Sequence, residues 1–207
     1  MALVAGRPCA LWTLQAAWDA ETCYLPIFAT DSQELQQAVA VAGIPVAYAH
    51  RSPETCTDTA PVESAVREAL LDRDWQGDGT PYIVILYGNV PIRPPGLIDQ
   101  AVRKLRDTGC DSVQSMTPVG KHHPSWMQEI DGDRVTPLEP NHPCRRQDLS
   151  PRYIPDGGVI AVTRDSLFSD PFLGSDRRAV ITKPGEVVDI DNWVDHRVAE
   201  AILKETA

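Results

Sequence analysis

Neither of the two glycine-rich phosphate loops, GxGxxG or GxxxxGK, occurs anywhere in the 207 residues. Their absence removes the usual mark of dinucleotide and P-loop sites, where glycines let backbone N–H groups approach phosphate at a helix start. No serine or cysteine sits in a GxSxG elbow, so hydrolase chemistry has no anchor. Apolar runs stay well short of the roughly 20 residues that span a bilayer, and no basic region precedes an apolar stretch as in a signal peptide. Basic residues are outnumbered, with 19 Lys plus Arg against 29 Asp plus Glu and a net charge of -10. That balance argues against nucleic acid or an anionic membrane as partner. Cys9, Cys23, Cys56, Cys110 and Cys144 are odd in number and lack CxxC spacing, which fits reduced thiols. A soluble, cytoplasmic protein is expected.

Against these absences stands an alternation of short apolar runs and helices. Ala10 to Ala20 carries an amphipathic stripe through Leu11, Leu14 and Trp18. Tyr24 to Ala29 is a candidate strand, followed by a helix that Asp31 or Ser32 caps and Gly43 stops. Ile44 to Ala49 resumes as strand, and Pro61 opens a helix through Leu71. Tyr82 to Tyr87 is the strongest strand, β-branched and uncharged, as a segment buried on both faces should be. A helix after Pro94-Pro95 runs through Thr108, and Asp111 to Thr117 is strand. Gly158 to Thr163 and Ala179 to Thr182 are further strands, and Val194 to Leu203 a terminal helix. The order predicts an α/β protein of three layers, α/β/α, with a mostly parallel, Rossmann-like sheet. Residues 1–207 read as a single domain. Residues 118–152, rich in Pro, His and charge, read as an inserted excursion bearing a hairpin at Asp131-Gly132-Asp133.

Several groupings point to anions and metal. Asp189 and Asp191 lie at i and i+2, so an extended segment would present both carboxylates on one side, as a divalent cation requires. The plainer account is that Asp191 or Asn192 caps the terminal helix with Asp195 in support; the two are compatible. Arg145, Arg146 and Arg152 suit a carboxylate or phosphate, or else form a solvated loop. Lys121-His122-His123 and His142-x-Cys144 match no standard zinc spacing.

Taken in order, these segments resemble the acylneuraminate cytidylyltransferase family, the CMP-sialic acid synthetases, with the CMP-Kdo synthetases more distant. The similarity is collinear from Gly6-Arg7-Pro8 to Leu203. Thr30-Asp31-Ser32 matches the family's TDS, and Arg51 with Asp58-Thr59-Ala60 resembles the stretch framing its cytidine pocket. Leu86 to Arg93 stands where the family has LQPTSPLR. Lys121 to Trp126 and Arg145 to Leu149 resemble its dimerisation insertion, Pro155 to Gly158 its PNGA, and Asp189-Ile190-Asp191 its metal-binding DID.

The resemblance implies a nucleotide-diphospho-sugar transferase-like fold and a homodimer joined through 118–152. It implies a reaction in which the anomeric hydroxyl of a 2-keto-3-deoxy sugar acid attacks the α-phosphate of CTP. Asp189 and Asp191 would be catalytic, holding Mg²⁺. Arg51, Asp58 and Ala60 would meet the nucleotide. Tyr87, Arg93, Lys121, Arg146, Gln147, Asp156, Gly157 and Phe172 would line the sugar-acid site, with Arg146 reaching in from the partner. Tyr87, Asp156 and Ile160 depart from the family's Gln, Asn and Tyr, which suggests a sugar acid other than the common sialic acid. The family's first strand and phosphate loop have no counterpart, and Met1 falls about where that loop ends. The expectation is a misplaced start or a truncated chain that binds CTP poorly as written. Its alternatives are an inactive remnant or a nucleotidyltransferase for another sugar.

Overall fold

The computed structural model describes residues 2–57, 59–72, 81–140 and 145–206, apart from the side chains of residues 72, 146 and 206. The chain enters through a two-stranded ribbon, β1 (Leu3–Val4) and β2 (Arg7–Pro8), turned at Ala5-Gly6, where both residues have positive φ. Helix α1 (Cys9–Asp19) follows, then β3 (Ile27–Ala29), α2 (Gln33–Ala42) and β4 (Ala47–Ala49). Next come α3 (Val62–Asp72), β5 (Tyr82–Ile85), α4 (Leu97–Thr108) and β6 (Ser112–Pro118). A hairpin, β7 (Gln128–Asp131) and β8 (Arg134–Pro137), precedes β9 (Tyr153–Thr163), α5 (Arg164–Leu167), β10 (Arg177–Ile181) and α6 (Trp193–Thr206).

Local chemistry sets the boundaries. Ser32, the expected cap, accepts a hydrogen bond from the Leu35 N–H, and Gly43 ends α2 in the left-handed region. The strand expected from Tyr24 begins only at Ile27; Tyr24 is 96% exposed, and Pro26, just ahead of β3, has no N–H to give a ladder.

The main sheet has the order β10-β6-β9-β5. β10 and β6 pair in parallel, while β9 runs antiparallel to both β6 and β5. Three of the four strands therefore run one way, and β3 and β4 form a separate parallel pair. β9 is nearly twice as long as its apolar part, because its first residues, exposed and partly polar, still pair with the end of β6.

The two-residue period of β9 builds both sides of the core. Val159 and Ala161 face α4, whose Leu97, Ile98, Ala101, Val102 and Leu105 form one stripe with Val113 and Val180. Ile160 and Val162 face the other way, onto Leu70 of α3, Ile85 and Leu167. Helices thus cover both faces, giving the three-layer α/β/α arrangement. A third cluster joins Val4 and Cys9 to Val188 and Ala199, tying the entry ribbon to α6.

Leu105 is fully buried between α4 and the sheet. Leu105→Ala should cost about 2–5 kcal/mol, the range for a buried leucine that leaves a cavity, read as a lowered urea midpoint at unchanged m-value.

Candidate active site

The site is built where three segments meet: the loop after β5 (residues 87–93), the start of β9, and the extended stretch before α6. An isolated antiparallel bridge joins Ile92 to Val188, and the Ile190 N–H donates to the Asn89 carbonyl at 3.0 Å. Asn89 also donates from Nδ2 to Asp189 Oδ1 at 2.7 Å. Asp189 is therefore aimed by backbone pairing and by a side-chain amide together.

Arg93 holds the junction. Its Nε donates to the Gly158 carbonyl at 2.6 Å, one terminal nitrogen to Thr13 Oγ1 at 2.9 Å and to the Val90 carbonyl, and the other to the Tyr87 carbonyl at 3.1 Å. One guanidinium thus ties β9, α1 and both ends of the loop. Burial pulls its pKa down to about 10, opposed by Cys9, Asp189 and Asp156, so it keeps its charge at neutral pH. With four of its five N–H donors engaged by protein acceptors, Arg93 chiefly positions the site.

Burial is also the main cause that raises the Asp189 pKa above the ordinary carboxylate value, helped by the like charges of Asp191 and Asp195 and opposed by Arg93. Asp195 has a job of its own. Its Oδ2 accepts the backbone N–H groups of Asp191 and Asn192, both at 3.1 Å, while Asn192 Oδ1 accepts those of Val194 and Asp195. Asn192 and Asp195 make the reciprocal cap, which frees Asp191 from capping. Gly157 completes the setting: its φ is +75°, and a Cβ there would lie 3.1 Å from Asp189 Oδ2 and 3.4 Å from Val90.

Asp189 and Asp191 form a hard-oxygen pair beside the start of a helix. Among the described residues no group of three or more His, Cys, Asp or Glu could hold an ion alone. One or two carboxylates, completed by phosphate oxygens, are the donor set Mg²⁺ ordinarily takes from protein, and the like charge that Asp189 feels from Asp191 is what a cation would relieve. The residues fit the ion.

The neighbouring Asp156 turns inward. Its Oδ1 accepts from Ser115 Oγ (2.5 Å) and the Gly158 N–H (3.0 Å), and its Oδ2 from Thr182 Oγ1 (2.5 Å). Asp156 and Lys121 line a cleft of about 360 Å³ between residues 117–122 and 183–187. Tyr87 and Phe172 lie elsewhere, half-buried against Leu70, Ile85 and Ile160. The proposed sugar-acid residues thus divide into an apolar group and a polar cleft.

Arg51 and Ala60 sit on the loop before α3, half-buried. Glu68 of α3 anchors that loop, accepting from the Ser52 N–H and from Thr55 Oγ1; Arg51 Nε is buried with no partner. Gln147 is exposed in the turn Arg146–Asp148. Asp58, His142, Cys144 and the Arg146 side chain lie outside the described residues. His123 is committed to structure, its Nε2 3.0 Å from the Ser150 carbonyl and its Nδ1 accepting the Ser125 N–H. Sequence reasoning missed Asn89, Thr13, Ser115 and Thr182. Only Asn89, inside the Leu86–Arg93 motif, offered a signal.

Replacing Arg93 by Met keeps bulk but strands the Gly158, Tyr87 and Val90 carbonyls. The expected loss is about 3 kcal/mol or more, measured by denaturant unfolding; a loss under about 1 kcal/mol would show that the clamp is dispensable.

Residues 1–126 match the cytidylyltransferase family. The chain is 26% identical over 212 residues to the CMP-N,N'-diacetyllegionaminic acid synthase of Legionella pneumophila, a match covering 98% of this chain and 88% of that protein. It is 28% identical over 202 residues to N-acylneuraminate cytidylyltransferase A of Danio rerio, covering 96% of this chain but only 45% of the relative. It likewise spans 40% of the N-acylneuraminate cytidylyltransferase of Streptococcus agalactiae. Its fold is similar to that of a CMP:2-keto-3-deoxy-manno-octonic acid synthetase complexed with CTP, with a TM-score of 0.71, 14% identity, and coverage of 100% of this chain and 91% of that one.

Proposed function

The chain belongs to the cytidylyltransferase family, and from that premise we propose that it activates a 2-keto-3-deoxy sugar acid of the nonulosonic, sialic-acid-like class with CTP. The anomeric hydroxyl attacks the α-phosphorus, the bond to the β-phosphate oxygen breaks, pyrophosphate leaves, and the sugar acid carries CMP. The observation that carries this reading is the Asp189–Asp191 pair beside a helix start, where the Asp191 charge adds to burial in raising the Asp189 pKa and the Asp191 N–H is held by Asp195. Similarity along 98% of the chain to a CMP-sugar-acid synthase supports the substrate class.

In this scheme Asp189 and Asp191 hold Mg²⁺, which when bound neutralises phosphate charge and polarises the α-phosphate. Asn89 fixes the rotamer of Asp189 through Oδ1, and Arg93 keeps the loop and β9 in register around it. Gly157 lets β9 come close enough to wall the site without pushing the carboxylate aside. Arg51 and Ala60 take the cytidine, and Arg51 Nε still lacks a partner. Lys121, Arg146 and Gln147 meet the sugar acid.

We assign the 118–152 insertion to a homodimer contact. All eight residues of β7 and β8 are exposed, and they carry Ile130 (71% exposed) and Val135 (59%) with Met127 and Leu138 alongside. Apolar side chains left exposed on a hairpin are the kind of surface a partner covers. The cytoplasm is the assigned compartment, in keeping with the free thiols of Cys9, Cys23, Cys56 and Cys110. No helix among the described residues is long and apolar enough to cross a membrane.

Pyrophosphate release should require CTP, Mg²⁺ and a sugar acid together; UTP and ATP should not replace CTP, and EDTA should stop the reaction reversibly. Asp191→Ala should lower kcat by roughly 100-fold or more while leaving the melting temperature unchanged. Wild-type turnover by that variant would remove the metal assignment. Ile130→Glu should shift the sedimentation coefficient from dimer to monomer, and a monomeric wild type would refute the contact.

A further inference from the structure

Helix α3 grips two loops from adjacent residues. The helix itself is seated on the sheet by Val62, Val66 and Leu70, which pack with Ile85 and Ile160. Arg67 Nε donates to the Leu167 carbonyl at 2.6 Å, and a terminal nitrogen to the Ser169 carbonyl at 2.8 Å, tying α3 to the end of α5. The next residue, Glu68, reaches the loop before the helix. Its Oε1 accepts the Ser52 N–H at 2.9 Å, and its Oε2 accepts the Thr55 hydroxyl at 2.5 Å. That loop has little structure of its own, a single helical turn over Pro53–Thr55, so a side chain on a packed helix sets its shape.

The Ser52 N–H belongs to the peptide group that begins at the Arg51 carbonyl. The other end of that group is held too, since the Cys56 thiol donates to the Arg51 carbonyl with Sγ at 3.8 Å. Both polar atoms of one planar unit are therefore fixed, and with them the direction in which the Arg51 side chain leaves the backbone. This matters because Arg51 Nε is buried without a partner. Buried donors ordinarily find an acceptor, and an unbraced loop would turn the guanidinium out to water to find one. Glu68 suits the task. Hydrogen bonds from Thr55 and Ser52 lower its pKa against the effect of burial, so it stays ionised at neutral pH, and a charged acceptor makes the stronger bond.

We propose that Glu68 is a positioning residue for the nucleotide, holding Arg51 with a donor open until CTP supplies the acceptor; the inference rests on the reading of the chain as a cytidylyltransferase whose Arg51 takes the cytidine. Glu68 touches no substrate. It acts through the Arg51–Ser52 peptide group, so that the loop is ordered before binding instead of during it. Charge alone predicts the opposite: a carboxylate near a triphosphate site repels its ligand, and removing it would tighten binding.

The test titrates CTP with Mg²⁺ into the full chain by calorimetry without sugar acid, with UTP and ATP alongside, and follows pyrophosphate release once the sugar acid is added. Glu68→Ala should weaken CTP binding roughly tenfold, raising the KM for CTP while the sugar-acid KM stays where it was. Thr55→Val, which leaves the carboxylate and the helix in place, should act in the same direction. Glu68→Gln should stay within about threefold of wild type, because its carbonyl oxygen still accepts the Ser52 N–H and its amide can donate to Thr55 Oγ1. In an Arg51→Ala background, Glu68→Ala should change CTP affinity by less than about twofold, since the brace then has nothing to aim. Unchanged or tighter CTP binding by Glu68→Ala, an equal rise in both KM values, or the full loss in the Arg51→Ala background would overturn the proposal. Binding of UTP or ATP in place of CTP, weakened by Glu68→Ala through Arg51, would uphold the brace and defeat the cytidylyltransferase reading. CTP turnover indifferent to Glu68 would do the reverse, and no nucleotide binding at all would sink both.

Discussion

Everything at the site depends on one buried cation reaching four acceptors. The loop after β5 has no regular structure, yet it must carry Asn89 to within hydrogen-bond reach of Asp189. Arg93 closes that loop on itself through the carbonyls of Tyr87 and Val90 and fastens it to β9 and α1 through Gly158 and Thr13. A planar fork with five donors can do this where a lysine, a single point of charge, cannot. The same guanidinium also interacts with the charges of Asp156 and Asp189, so geometry and charge balance meet in the same side chain.

Much of the scaffold was legible because its causes are local. Ser32 and Gly43 mark both ends of α2, and the run Tyr82 to Ile85 reads as strand from side-chain shape alone. The spacing of Leu97, Ala101 and Leu105 announces the buried face of α4. What stayed hidden depends on partners far away in the chain. The direction of β9 carries no local mark, since alternation looks the same in a parallel and an antiparallel neighbour, and its first residues, Tyr153 to Pro155, are exposed. Its pairing with β6 and β5 makes the sheet mixed, although the order of elements suggested mostly parallel strands.

The site divides along the same line. The pair Asp189 and Asp191 is visible as a spacing, and the reciprocal cap by Asn192 and Asp195 was already implied by side-chain type. The role of Arg93 could not be read, because it binds mainly carbonyls, and every residue has one. The inward turn of Asp156 was equally invisible: it needs Ser115 and Thr182, 41 and 26 residues away. A residue that looked like a bare substrate contact is mostly committed to holding strands together, with only its last lone pair left over.

Gly157 has a bearing on how this protein can change over generations. Neighbouring positions of one strand serve two masters, with residue 156 at the cleft and residue 157 against Asp189. Drift at 156 is open to trial, since a swapped carboxamide there retains most of its partners. Drift at 157 is opposed twice, by a φ of +75° that strains any side chain and by a Cβ that would lie 3.1 Å from Asp189 Oδ2. Residue 156 is therefore free to vary by small steps, while the backbone that packs on Asp189, one peptide bond further along β9, is held to glycine.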